Sequence, residues 1–219
     1  MPSADSPPGI SSTRFGQYHK EITQAIEELG RGSIATITGW FTAMDLPSPR
    51  VVQAIEDRAS RITPDRNQRL LDYWHNKAKG ADVPHYRQID PVDIRDLLGY
   101  LAIVDVVAGG ADFRYRLYGS DIVRHTGNEM TGRLTSDLVE RAQVQPFIPM
   151  FFAVINTRVR LDRTPWYSEH QPPPHISQMI WQRLALPLLN DNGEVFRLLL
   201  SMVPGESTGL DMQGLRNTG

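Results

Sequence analysis

Residues 101–120 read "LAIVDVVAGGADFRYRLYGS". The blocks "LAIVDVVAGG" and "DFRYRLYGS" are β-type runs split by a Gly-Gly-Ala-Asp turn, which is a hairpin signal. Alternate residues of a strand face opposite ways. Phe113, Tyr115 and Leu117 therefore share one face, suited to a core or a pocket wall. Arg114, Arg116 and Tyr118 share the other, suited to solvent or a packed helix. Gly119 lets the chain turn, and Ser120 is placed to cap the helix "DIVRHTG". Arginines at alternate strand positions are ordinary sheet chemistry, so the stretch reads as a strand leaving a hairpin and not as a catalytic patch.

Working outward, "DIVRHTG" and "RLTSDLVERA" are short helical pieces, and a longer helix then carries Phe147, Met150, Phe151, Val154, Ile155 and Arg158 at helical spacing. "TPWYSEHQ", "ISQMIWQRLALPLL" and "VFRLLLSMV" read as strands, with Asp-Asn-Gly as a tight turn between the last two. Upstream, Thr63 as N-cap, Pro64 at the first position and Asp65 in the first turn begin a helix with the apolar stripe Leu70, Leu71 and Trp74. "DPVDIRDLL" is a short helix capped by Asp90. "YHKEITQAIEELGRG" is helical, with Ile22, Ala25, Ile26 and Leu29 on one face. "SIATITGWFTAMDLPSP" is ambiguous, and "PSPRVVQAIEDRASR" reads as the start of another helix. This order predicts an α+β fold with an antiparallel sheet, one face covered by the middle helices. The expected organisation is a disordered tail over 1–16, an N-terminal helical extension or linker over 17–62, a domain over 63–204 and a flexible tail over 205–219.

The totals exclude several function classes. Among 219 residues, 23 Lys and Arg against 25 Asp and Glu leave a formal charge of -2, which supplies no clustered positive field for nucleic acid. With no cysteine there is no disulfide, thiolate metal site or cysteine nucleophile, and no flavin photosensor working through a cysteinyl adduct. The start lacks a basic head with an apolar run, and "FIPMFFAVI" is too short to span a bilayer. The chain reads as soluble and cytoplasmic, with no membrane partner.

Three stretches carry a resemblance. "YWHNKAKGADVPHYRQIDPVDIRDLLGYLAIVDVV", "DFRYRLYGSDIVRHTGNEMTGRLTSDL" and "RLALPLLNDNGEVFRLLLSMV" resemble the PAS-like domains abundant in alphaproteobacteria. The matching features are Trp74, Asp90 with Pro91, Arg116 with Leu117 and Gly119, Gly127 and Gly132, and Leu186-Pro187-Leu188. Ser120 stands where the family usually has threonine, and the resemblance runs from about Thr63 to Val203. It implies a five-stranded antiparallel sheet with helices across one face, a small molecule or apolar cavity between them, and a sensory or protein-interaction role without catalysis.

On that expectation Phe113, Tyr115, His125, Phe151, Ile155 and Trp181 are the candidate ligand-binding residues, and the cofactor is unknown. Met150 and Trp166 belong to the same apolar set, which serves equally as a solid core. Arg116 is assigned a structural pairing with Asp90 or Asp93. The family's haem sensors carry the iron-binding histidine on the longer helix, where "PFIPMFFAVINTRV" has none. The prolines of "HQPPPH" hold His170 and His175 apart, so no metal site is assigned. "GRGS" at 30–33 lacks the Lys-Ser/Thr ending of a phosphate loop, and no Gly-x-Ser-x-Gly elbow is present. The leading reading is a stand-alone signalling module that acts on a separate protein or across a homodimer, with "EITQAIEELG" as the natural contact helix. Its alternatives are a small-molecule carrier and a cofactor-poor enzyme using His125 or Tyr115 in the same cavity.

Overall fold

The computed structural model describes residues 14–54, 62, 65–141, 146–174, 177 and 179–205. Six strands run through it: β1 (Arg50–Gln53), β2 (Leu101–Val107), β3 (Asp112–Tyr118), β4 (Trp166–His170), β5 (Ile180–Leu189) and β6 (Val195–Gly205). They form one sheet in the order β1-β4-β5-β6-β2-β3, with every neighbouring pair antiparallel. The hairpins β2–β3 and β5–β6 are those read from the sequence.

The count is six where the resemblance implies five. The extra strand is β1, in the run read as a helix start. Val51 and Val52 pair with Ser168 and Tyr167. Two consecutive β-branched residues after Pro47 and Pro49 suit an extended edge better than a first helical turn.

Among the described residues six α-helices accompany the sheet: α1 (His19–Gly30), α2 (Ala35–Ala43), α3 (Asp65–Ala78), α4 (Ser120–Thr126), α5 (Asp137–Arg141) and α6 (Phe147–Asp162). The ambiguous "SIATITGWFTA" segment is thus mostly helix, with Ile37, Trp40 and Phe41 buried. α6 lies over one face with α1 and α2 packed on it, and their apolar side chains join Ala102, Val104, Phe113, Tyr115, Trp166, Trp181, Ala185 and Leu198 in one core. The expected helical cover is there, and α3 adds a second layer behind the sheet. Leu70, Leu71 and Trp74 pack with Leu101, Tyr167, Leu184, Leu186, Leu188 and Leu199. Because period-2 alternation serves two covered faces, β5 is apolar almost throughout. The Trp74 indole N–H donates to the Pro187 carbonyl at 2.8 Å, fixing α3 to β5.

Two details of the opening stretch differ from its sequence reading. β3 carries a bulge: Ile103 pairs with Leu117 but Val104 pairs with Tyr115, leaving Arg116 as the extra residue. The alternation resets there, so Tyr118 lies on the same side as Tyr115, ring to ring at 5.3 Å, and not beside Arg114. Leu117 pairs with Ile103, which packs against the α3-side core. Arg116 pairs with Asp105 at 2.8 Å, not with Asp90 or Asp93, because the cross-strand neighbour is nearer than the cap. Gly119, not Ser120, is the N-cap of α4, and Ser120 is its first residue. Gly119 is required by close approach: a Cβ there would fall 2.2 Å from the Gly99 carbonyl oxygen.

Asp90 caps the short turn Pro91–Ile94 as expected, accepting from the Val92 N–H at 2.9 Å. Thr63 and Pro64 lie outside the described residues, as do 1–13 and 206–219 of the expected tails. Within the expected N-terminal tail Phe15 is fully buried. Among the described residues no helix is long and apolar enough to cross a membrane.

Candidate functional site

The core between α6 and the sheet is mostly apolar, and Arg183 is its buried cation. β5 turns Trp181, Arg183 and Ala185 toward α6, and an arginine in that position has no route to solvent. Arg183 is 1% exposed. Taking a charge out of water costs several kcal/mol unless a partner compensates it. Elsewhere the chain supplies one: buried Glu169 accepts from Arg50 at 3.3 Å and from the Tyr167 hydroxyl at 2.7 Å. Among the described residues Arg183 has no carboxylate partner. One of its terminal nitrogens donates to the Asn156 side-chain carbonyl of α6, while its Nε and its other terminal nitrogen have no hydrogen-bond partner among the described residues.

The neighbours repeat the pattern. Ser168 on β4 is directly opposite Arg183, and His170, two residues along, is opposite Trp181. The Ser168 hydroxyl, His170 Nδ1 and Asn156 Nδ2 are buried and unpartnered among the described residues. Buried polar side chains are normally satisfied, and among the described residues these four with unpartnered atoms lie together. Phe152 bridges them, with Arg183 over its ring at 5.1 Å and the His170 ring at 5.4 Å. Phe41 and Phe151 close on His170 from the α2 and α6 sides at 6.4 and 5.4 Å.

Electrostatics follow from this burial. Desolvation, with the Arg183 charge adding to it, pulls the His170 pKa down to about 3, so its ring is neutral. Desolvation also lowers Arg183, to about 10, against the pull of Tyr115 and Tyr118, and it stays charged near neutrality. Burial pushes both tyrosine hydroxyls upward. The site is therefore a single buried positive charge among aromatic side chains, surrounded by neutral polar groups.

The residues expected from sequence fall around it. Phe113, Tyr115, Phe151, Ile155 and Trp181 are buried in the same core. His125 sits at its margin, half-buried on α4, with its ring 6.0 Å from Trp181. His170 is at the centre, whereas His175 lies outside the described residues. Arg183, Asn156 and Ser168 were not anticipated. The available signal was a charged residue two positions after Trp181 in "IWQRLALPLL", on the same strand face as a residue already assigned to the core.

The profile of a family described as PAS domain matches residues 62–203. Among solved structures, one described as an RNA-binding light-oxygen-voltage receptor is similar at 14% identity and a TM-score of 0.44, over 89% of this chain and 51% of that one. This chain thus spans about half the length of that receptor. No curated protein matches.

Proposed function

The chain belongs to the PAS domain family, a family of sensory and interaction modules, and from that premise we propose that it is a non-enzymatic sensor holding a small molecule between α6 and the sheet. The observation that carries the reading is the group of unsatisfied polar atoms on Arg183, Asn156, Ser168 and His170. The motifs around Trp74, Asp90, Gly119 and Leu186 resemble those of the family's alphaproteobacterial members and support that branch for this chain. The bound molecule ties β4 and β5 to α6, and α6 is the helix on which α1 packs. Occupancy then favours one arrangement of α6 and α1 over another, a population shift passed to a separate protein or a second copy. Ile22, Ala25, Ile26 and Leu29 of α1 are buried in the chain's own core, so the helix acts as a relay more than as a free apolar contact.

The test compares protein as purified with protein unfolded, freed of small molecules and refolded. Native mass spectrometry of the first should release a small molecule. Hydrogen exchange at α1 and α6 should be slower in it than in the stripped protein. A native mass equal to the bare chain or a whole multiple of it, with identical exchange in both samples, would contradict the reading.

A further inference from the structure

Resting on the reading that this interior holds a small molecule, we infer that the molecule is a monocarboxylate with an apolar body, its carboxylate seated on Arg183. Three observations select this class. First, the unpartnered atoms are donor-rich: Arg183 offers two nitrogens, Asn156 its amide nitrogen and Ser168 its hydroxyl. An acceptor group satisfies them, and a second donor would not. Second, the charge is uncompensated. Arg183 is buried with no carboxylate partner among the described residues, while Glu169 on the opposite face has Arg50. A neutral acceptor would fill the hydrogen bonds and leave the charge exposed to a low dielectric. Third, the charge count is one. His170 is neutral here, so a single negative charge balances the site and a phosphate dianion overshoots it. The apolar side chains of Phe41, Phe151, Phe152 and Trp181 packed in the same core suit an aliphatic or aromatic remainder.

Charge-assisted bonds from arginine to a carboxylate are stronger than those to a neutral amide carbonyl. That difference supplies the experiment. Thermal shift and calorimetric titration of the full chain would use hexanoate, benzoate and phenylacetate, each against its amide of the same shape. The expected result is that at least one carboxylate raises the melting temperature and binds about tenfold or more tighter than its amide. That preference should be lost in Arg183→Met and partly kept in Arg183→Lys. Equal binding of acid and amide would overturn the carboxylate assignment while leaving a ligand site in place. Acid binding that survives in folded Arg183→Met would overturn it too, by locating the anion elsewhere. No binding by any member, with no small molecule released from the purified protein, would remove the ligand reading along with the inference. Should Arg183→Met fail to fold, the wild-type acid and amide comparison decides alone.

Discussion

At the residue scale, Arg183 separates a role in binding from a role in stability. A buried charge without a counter-ion costs folding free energy, and replacing a buried polar pair with apolar groups of similar size is often neutral or stabilising. The double variant Arg183→Met/Asn156→Leu should therefore unfold in urea at a concentration equal to or above that of the ligand-free wild type. Asn156→Leu alone removes the acceptor on which Arg183 donates. It should destabilise by about 3 kcal/mol, as breaking one side of a buried charged interaction does. His170 gives a second test. Its folded pKa, about 3, lies below the unfolded value near 6.5, so the unfolded chain takes up the proton first. The stabilising effect of keeping it neutral is complete above pH 6.5 and declines as pH falls toward 3, by on the order of 1.4 kcal/mol per pH unit. Urea titrations at pH 7.5 and 5.5 should show that decline in wild type and a smaller one in His170→Leu. The difference between the two proteins removes the shared contribution of Asp112, whose carboxyl burial pushes the other way.

At the element scale, the junction of β3 and α4 depends on backbone contact. Gly119→Ala puts a methyl group against the Gly99 and Leu98 carbonyls. It should cost about 3 kcal/mol, an overpacking effect that no rotamer change relieves because the obstacles are main-chain atoms. Trp74→Phe keeps most of the ring but strands the Pro187 carbonyl, for a loss of about 1–3 kcal/mol. Both are read from denaturation midpoints. The same elements show what was legible beforehand. The hairpins, α6, α3 and the Asp90 cap were readable because each carries a local signal of alternation, helical spacing or turn chemistry. β1 was not, since four residues after two prolines acquire their strand state from pairing with β4. The bulge at Arg116 was invisible because strict alternation is the rule that it breaks, and this misplaced Tyr118. Burial of Phe151 and Trp181 followed from helix spacing and strand faces, whereas Phe41 and Phe152 were not legible. Nor was the polar centre, because Arg183, Ser168 and Asn156 meet only once β4, β5 and α6 are stacked.

At the scale of the whole molecule, the N-terminal helices are part of the fold and not an appendage to it. α1 and α2 supply Ile22, Ile26, Leu29, Ile37 and Phe41 to the core that contains α6. Removing residues 1–46 uncovers that surface, and the shortened chain should be insoluble or lose cooperative unfolding where the full chain unfolds in one transition. This arrangement places α6 between the buried Arg183 group and the outer helices, as the proposed relay requires. In the proposed function Arg183 faces a bound acceptor from outside the chain. A high-resolution crystal structure of the protein as purified tests it most directly. Non-protein density is expected against the unpartnered nitrogens of Arg183 and the Ser168 hydroxyl. Ordered water alone at those atoms, or Arg183 re-paired with a carboxylate of its own chain, would contradict it.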